Sequence, residues 1–115
     1  MTTLFVAVGG TLGVLSRYGL GRMTLHHESL MWTTLGINIA GSFLLGLLTG
    51  AAWFGRDVRE GIGVGFLGGF TTFSTFSVQA VLEVDGGEPG RALIYVLASV
   101  LGGLAAATLG YALGR

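Results

Sequence analysis

Three long stretches of the chain carry no Asp, Glu, Lys or Arg: Ser29 to Gly55, Gly61 to Leu82 and Ala92 to Gly114. Each is long enough to cross the hydrocarbon core of a bilayer as a helix. The N-terminal run Thr2 to Ser16 is shorter. Carried on through Arg17 and Tyr18 to Gly21 it reaches about 20 residues, a fourth span with one internal charge. The pattern predicts four transmembrane helices at about 3–22, 30–53, 61–82 and 91–114. Polar turns join them at His26-His27-Glu28, Arg56 to Glu60 and Asp85 to Pro89. The expected fold class is all-α integral membrane, one four-helix domain over residues 1–115 with both termini on the same side. A cleaved signal peptide is not expected, because no Lys or Arg precedes Arg17 to form a positive n-region.

Composition sharpens this picture mainly by exclusion. Charged residues make up 10% of the chain and hydrophobic ones 51%, where soluble domains average about 25% charged. The six basic residues are all Arg and are matched by six acidic ones, which leaves no basic footprint for nucleic acid. Without cysteine there is neither a disulfide nor a thiolate metal site. No nucleophile, base and orienting residue can be grouped, so an enzyme is not expected. Arg56, Arg59 and Arg115 fall on the side of the termini, and Arg17, Arg22 and Arg91 on the other. Since Lys/Arg asymmetry sets membrane orientation, this balance favours neither direction. Insertion in both orientations follows, unless the translocation machinery alone fixes one.

The polar residues within the spans carry the chemistry. Glycines recur at steps of four: Gly9 and Gly13 lead to Arg17 and Gly21, then Gly61, Gly65 and Gly69, then Gly102, Ala106, Gly110 and Gly114. Such stripes let membrane helices approach closely. In the second span Thr34, Asn38, Ser42, Gly46 and Gly50 share the same spacing. The Asn38 amide could glue two helices or donate to an anion in a wet pathway. The third span holds Gly68-Gly69-Phe70-Thr71-Thr72-Phe73-Ser74-Thr75-Phe76-Ser77. Two glycines and five hydroxyls predict a helix break at Gly68 to Thr72, with freed carbonyls that protein, water or an ion must satisfy. The alternative is a kink with hydroxyls bonded back to the preceding turn. Phe73 and Phe76 share a helix face, as do Ser74 and Ser77, and Tyr95 and Ser99 lie one turn apart in the fourth span. Phenyl edges are electropositive and could face a small anion, or the rings could simply pack. Arg17 could snorkel to the headgroups or form an electropositive funnel. His26 and His27 are given no chemistry.

Gly9-Gly10-Thr11-Leu12-Gly13 with Arg17-Tyr18, Thr34 to Gly46 around Asn38, and Gly68 to Ser77 together resemble the Fluc (CrcB) family of fluoride channels, across all four spans. The resemblance implies an antiparallel, dual-topology homodimer in a prokaryotic inner membrane. It would carry two fluoride pathways at the dimer interface for passive export from the cytoplasm. On the family pattern Asn38, Phe73 and Phe76 line the pathway, Thr34, Ser74, Thr75, Tyr95 and Ser99 make polar contacts, and Arg17 sits at the vestibule. Gly68 and Thr71 offer backbone carbonyls to a structural sodium ion, a hard cation suited to oxygen ligands. The expected partners are fluoride, membrane lipid and a second copy of the chain. The alternative is a proton-coupled small multidrug exporter, which needs a membrane-embedded carboxylate. Every Asp and Glu lies outside the apolar runs, with Glu28 nearest and in a turn. A non-transporting scaffold subunit would explain the glycines but not the polar third span.

Overall fold

The computed structural model describes residues 1–24 and 26–115. Its helices are α1 (Thr2–Arg22), α2 (His27–Gly50), α3 (Arg56–Glu60), a π-helical segment π1 (Gly61–Leu67), α4 (Gly68–Phe70), α5 (Phe73–Asp85) and α6 (Pro89–Gly114). The segments α3 to α5 run on as one broken span, so four apolar units are long enough to cross a membrane. The chain as a whole measures 48 Å along its longest axis. Large apolar side chains such as Leu12, Leu15, Leu97, Leu101 and Leu104 lie exposed along the bundle, the surface that hydrocarbon would cover.

The helix ends depart from the charge-free runs by a few residues. Helix α2 begins at His27 rather than residue 30, so His27 and Glu28 belong to its first turn, where an acidic side chain complements the N-terminal dipole. It stops at Gly50, and Ala51 is already extended. The Ala51 carbonyl is taken by the Arg59 guanidinium, and Thr2 bonds Asp57. The third span starts at Arg56 and continues past residue 82 to Asp85, which brings Glu83 inside the helix. Gly87, at φ 86°, makes the left-handed turn that glycine adopts without strain. Pro89 then starts α6 with its φ already set for a helix.

The bundle is built from two close helix pairs. Helix α1 lies along π1 and α4, and α2 lies along α6. In the first pair a side chain at Gly13 would run into the Phe66 carbonyl. In the second, Gly46 faces Ala107 and Gly110 faces Phe43 just as tightly. The glycine stripes are thus packing surfaces, as their spacing predicted. A four-residue step overshoots one 3.6-residue turn, so the second-span stripe winds around its helix. Its upper members Thr34 and Asn38 face the third span, while Gly46 and Gly50 face α6.

The break is narrower than expected. Gly68 to Phe70 stay helical, and only Thr71 (ψ 158°) and Thr72 (φ −153°, ψ 119°) are extended. Ahead of it π1 inserts a wide turn, a local form common near functional sites, which the sequence pattern does not foretell.

Candidate functional site

Interrupting a helix strips backbone groups of their partners, and in an apolar medium each must be satisfied. Two side chains from different helices do this here. Asn38 of α2 pairs with Thr72 in both directions: its Nδ2 donates to the Thr72 carbonyl at 2.9 Å, and its Oδ1 accepts from the Thr72 amide at 2.8 Å. Arg17 of α1 donates through Nε to the Gly69 carbonyl at 3.1 Å, reaching inward rather than to the headgroups. Thr72 then caps α5. Its Oγ1 accepts from the Thr75 amide at 3.3 Å, and the hydroxyls of Thr75 and Ser74 lie at 3.1 and 3.4 Å. Thr71 and Ser77 bond back to the Leu67 and Phe73 carbonyls. The five hydroxyls therefore divide between capping the break and back-bonding.

Among the described residues the carbonyls of Gly68, Phe70 and Thr71 receive no hydrogen bond. Neutral backbone oxygens left open at membrane depth suit a hard monovalent cation. The donor set of Gly68 and Thr71 thus fits the sodium ion that the resemblance implied. No group of three or more His, Cys, Asp or Glu side chains able to hold a metal is present among the described residues.

The aromatic residues form a row. Phe73 and Phe76 have ring centroids 5.6 Å apart at 57°, Phe76 and Tyr95 are 5.2 Å apart at 55°, and Trp32 meets Tyr95 edge-on at 6.0 Å. Tyr95 is fully buried and Phe76 only 8% exposed, whereas Phe73 is 78% exposed at the open end. Beside the row, the Tyr95 hydroxyl donates to Gln79 Oε1 at 2.7 Å. Gln79 Nε2 and Ser99 Oγ are buried without a hydrogen-bond partner among the described residues. Sequence reasoning missed Gln79 and Trp32. Gln79 lies four residues after Thr75 in an otherwise apolar stretch, a signal that was there to be read.

The predicted residues divide between two hollows. A groove of about 480 Å³ between α2, the third span and α6 gathers Asn38, Phe73, Phe76, Ser99, Gly68 and Thr71. A cleft of about 300 Å³ on the other side of the break gathers Arg17, Thr34 and Thr75, and Thr72 lines both. Tyr95 stands behind Phe76, and Ser74 is exposed beside the cap.

Outside both hollows, the starts of α2 and α6 and the end of α5 meet in an ionic knot. Arg91 donates through Nε to Glu83 at 2.7 Å, and its Nη1 and Nη2 lie 2.8 Å from Glu28 and 3.3 Å from Glu88. His27 Nε2 lies 3.1 Å from the other Glu83 oxygen. Glu83 is only 6% exposed. The expectation that every carboxylate lies clear of the spans is corrected here, because α5 runs one turn further and folds Glu83 inward. His27, given no chemistry from sequence, is one of its two partners.

Residues 4–111 match the family described as CrcB-like protein, Camphor Resistance (CrcB). The chain is 47% identical to a "Fluoride-specific ion channel FluC 1" of Bacillus cereus, over 96% of this chain and 85% of that protein. It is 45% identical to a "Fluoride-specific ion channel FluC" of Thermus thermophilus, over 96% of this chain and 93% of that protein. A "Fluoride-specific ion channel FluC 2" of Rhodococcus jostii is 44% identical over 98% of both chains.

Proposed function

The chain belongs to the CrcB-like family, and on that premise we propose that it is a fluoride-selective channel of the bacterial inner membrane, letting fluoride leave the cytoplasm passively. The observation that carries this reading is the open groove at the break. There Phe73, Phe76, Asn38 and Ser99 line one space. Small anions that have shed water need donors. Asn38 spends one N–H on Thr72 and keeps a second, and the buried Ser99 hydroxyl, without a partner among the described residues, would have to turn toward the groove to donate. Phenyl edges add weak positive potential without a charge that would trap the ion. Weak successive contacts let an ion enter and also leave.

A single chain leaves this groove without a fourth wall, with Phe73 turned outward. An inverted second copy would cover it, and by symmetry the pair would hold two such pathways. The three-against-three arginine balance supports opposed insertion. Sodium would be held by the Gly68 and Thr71 carbonyls of both copies, where it would supply fixed positive charge and tie the two breaks together. Arg17, Thr34 and Thr75 would form the polar mouth on the far side of the break, while Ser74 and Tyr95 would support the cap and the aromatic row.

A channel needs no catalytic group, in keeping with the relatives' names. The exporter alternative loses its ground with the family match, and the only buried carboxylate among the described residues, Glu83, is bound on both oxygens. The test is ion efflux from liposomes holding the purified protein, comparing fluoride with chloride. Fast fluoride efflux without chloride efflux is expected. Equal rates for the two ions, or no efflux, would refute the channel.

A further inference from the structure

We infer that Arg17 is a positioning residue for the helix break: it holds the end of the first half of the third span by the Gly69 carbonyl, and so selects which neighbouring carbonyls stay open. Its consequence for flux rests on the channel reading above; its consequence for backbone structure does not.

The register of α1 brings Arg17 to this place. Gly9, Gly13 and Arg17 follow one another at steps of four. Gly9 lies against Gly61 and Phe66, and Gly13 against Phe66 and Phe70. Arg17 is the next member of the ladder, beyond the Gly10 and Val14 that flank Gly69, and its long side chain reaches back to the Gly69 carbonyl. The height is fixed by contact from both sides, since a Cβ on Gly69 would stand 2.7 Å from the Gly10 carbonyl and 3.1 Å from Val14. Neither helix can slide along the other without driving backbone into backbone.

The bond that results is of the strong kind. Gly69 lies in the last turn of α4, where carbonyls lose their helical partners and carry the negative end of the helix dipole. A guanidinium answers both needs with a charge-assisted hydrogen bond. Because Arg17 uses Nε, its two terminal nitrogens remain for the cleft lined by Thr33, Thr34, Thr72 and Thr75. Among the described residues no other side chain from outside the third span bonds the backbone of this turn. Asn38 holds only Thr72, beyond the break.

Arg17 and Asn38 therefore grip the chain on either side of Thr71. A carbonyl bonded to a guanidinium keeps a second lone pair but faces a fixed positive charge that repels a cation, so Arg17 disfavours Gly69 among the oxygens at the break and leaves Gly68, Phe70 and Thr71.

Two variants test this, Arg17→Met, which keeps the stem without donor or charge, and Arg17→Lys, which keeps the charge without the fork. The first readout is hydrogen exchange in peptides covering residues 68–74. Loss of one charge-assisted bond predicts roughly tenfold to hundredfold faster exchange at Phe70, Thr71 and Thr72 in Arg17→Met, and an intermediate rate in Arg17→Lys. Unchanged exchange in both variants overturns the inference whatever the flux does. If Arg17→Met does not fold, as judged by helix content and a single species in detergent, Arg17→Lys alone decides the question.

The second readout is fluoride efflux against ionic strength. A funnel of bare charge fades as the screening length shrinks from about 10 Å at 0.1 M salt to about 3 Å at 1 M. A latch does not. The ratio of wild-type to Arg17→Met flux should stay constant across that range, and a ratio that falls toward one would assign Arg17 to the funnel instead. Should the wild-type protein move no fluoride, the channel reading fails while the exchange result still decides the latch.

Discussion

Exchanging one atom of the Asn38 side chain tests whether the break is held as described. Asn38→Asp keeps the size of the residue and the oxygen that accepts the Thr72 amide at 2.8 Å. It replaces the donor, 2.9 Å from the Thr72 carbonyl, by a second oxygen. One hydrogen bond is lost and a carbonyl in a half-buried site is left facing a like dipole, which costs about 1–3 kcal/mol, and more once the carboxyl is ionised. Taking about 3 kcal/mol at 1.4 kcal/mol per decade, the clamped break should be populated on the order of 100-fold less. A proton on the carboxyl restores the missing donor, so the lost flux should return as the pH falls. The control is Asn38→Ala, which abandons both bonds at a similar cost of about 2–3 kcal/mol and has nothing to titrate. Efflux is read with a fluoride electrode at pH near 5 and near 7.5, subtracting the leak of protein-free liposomes. Wild-type flux from Asn38→Asp at neutral pH, or identical pH profiles for the two variants, would show that Asn38 does not hold the break.

Phe73→Ile should cut fluoride flux at least tenfold while shifting stability by no more than about 0.5 kcal/mol, because the ring is 78% exposed in the single chain; unchanged flux in a folded protein would leave the aromatic edge without a role. Gly13→Ala should destabilise by about 1–3 kcal/mol, since its methyl meets the Phe66 carbonyl, whereas Gly19→Ala meets nothing within 4 Å and should gain up to about 1 kcal/mol of helix propensity. Thermal unfolding in detergent compares the two, and equal midpoints would sink the account of close packing between α1 and π1.

The four spans and their packing stripes are legible because bilayer thickness and helix pitch leave plain marks on a sequence: charge-poor runs long enough to cross and glycines at steps of four. The helix ends differ from the charge-free runs because a charge does not end a helix. His27, Glu28 and Arg56 to Glu60 are all helical, since long polar side chains at a helix end can reach water while the backbone stays regular. The break is narrower than the glycines suggest for a related reason. Gly68 and Gly69 look like helix breakers, yet Gly69 is small because α1 presses against it. The interruption falls instead at two threonines, and it is made possible by an amide on another helix. That pairing spans 34 residues, and no local pattern reports it. Asn38 could be singled out as a polar residue needing a partner, but choosing between glue and pathway needed the geometry. The geometry shows it bonded to Thr72 of the third span, with a second N–H that has no partner among the described residues.

The ionic knot shows the same limit and bears on mechanism. Glu83 and His27 lie 56 positions apart, and nothing in either neighbourhood announces the other. Once folded, Glu83 is a buried carboxylate in a membrane protein, the feature a proton-coupled pump requires. Its surroundings argue for a different task. A proton carrier must alternate between a charged and a neutral state, so its partners must let go in each cycle. Here Arg91 is held in turn by Glu28 and Glu88, and taking Arg91 away would leave the buried Glu83 carboxylate without its guanidinium partner. The three helix ends that meet in this knot are those of α2, which carries Asn38, of α5, which carries Phe73 and Phe76, and of α6, which carries Tyr95 and Ser99. Fixed charges at that end therefore hold the three walls of the groove in register, and a passive pathway depends on that rigidity where a pump would depend on its loss.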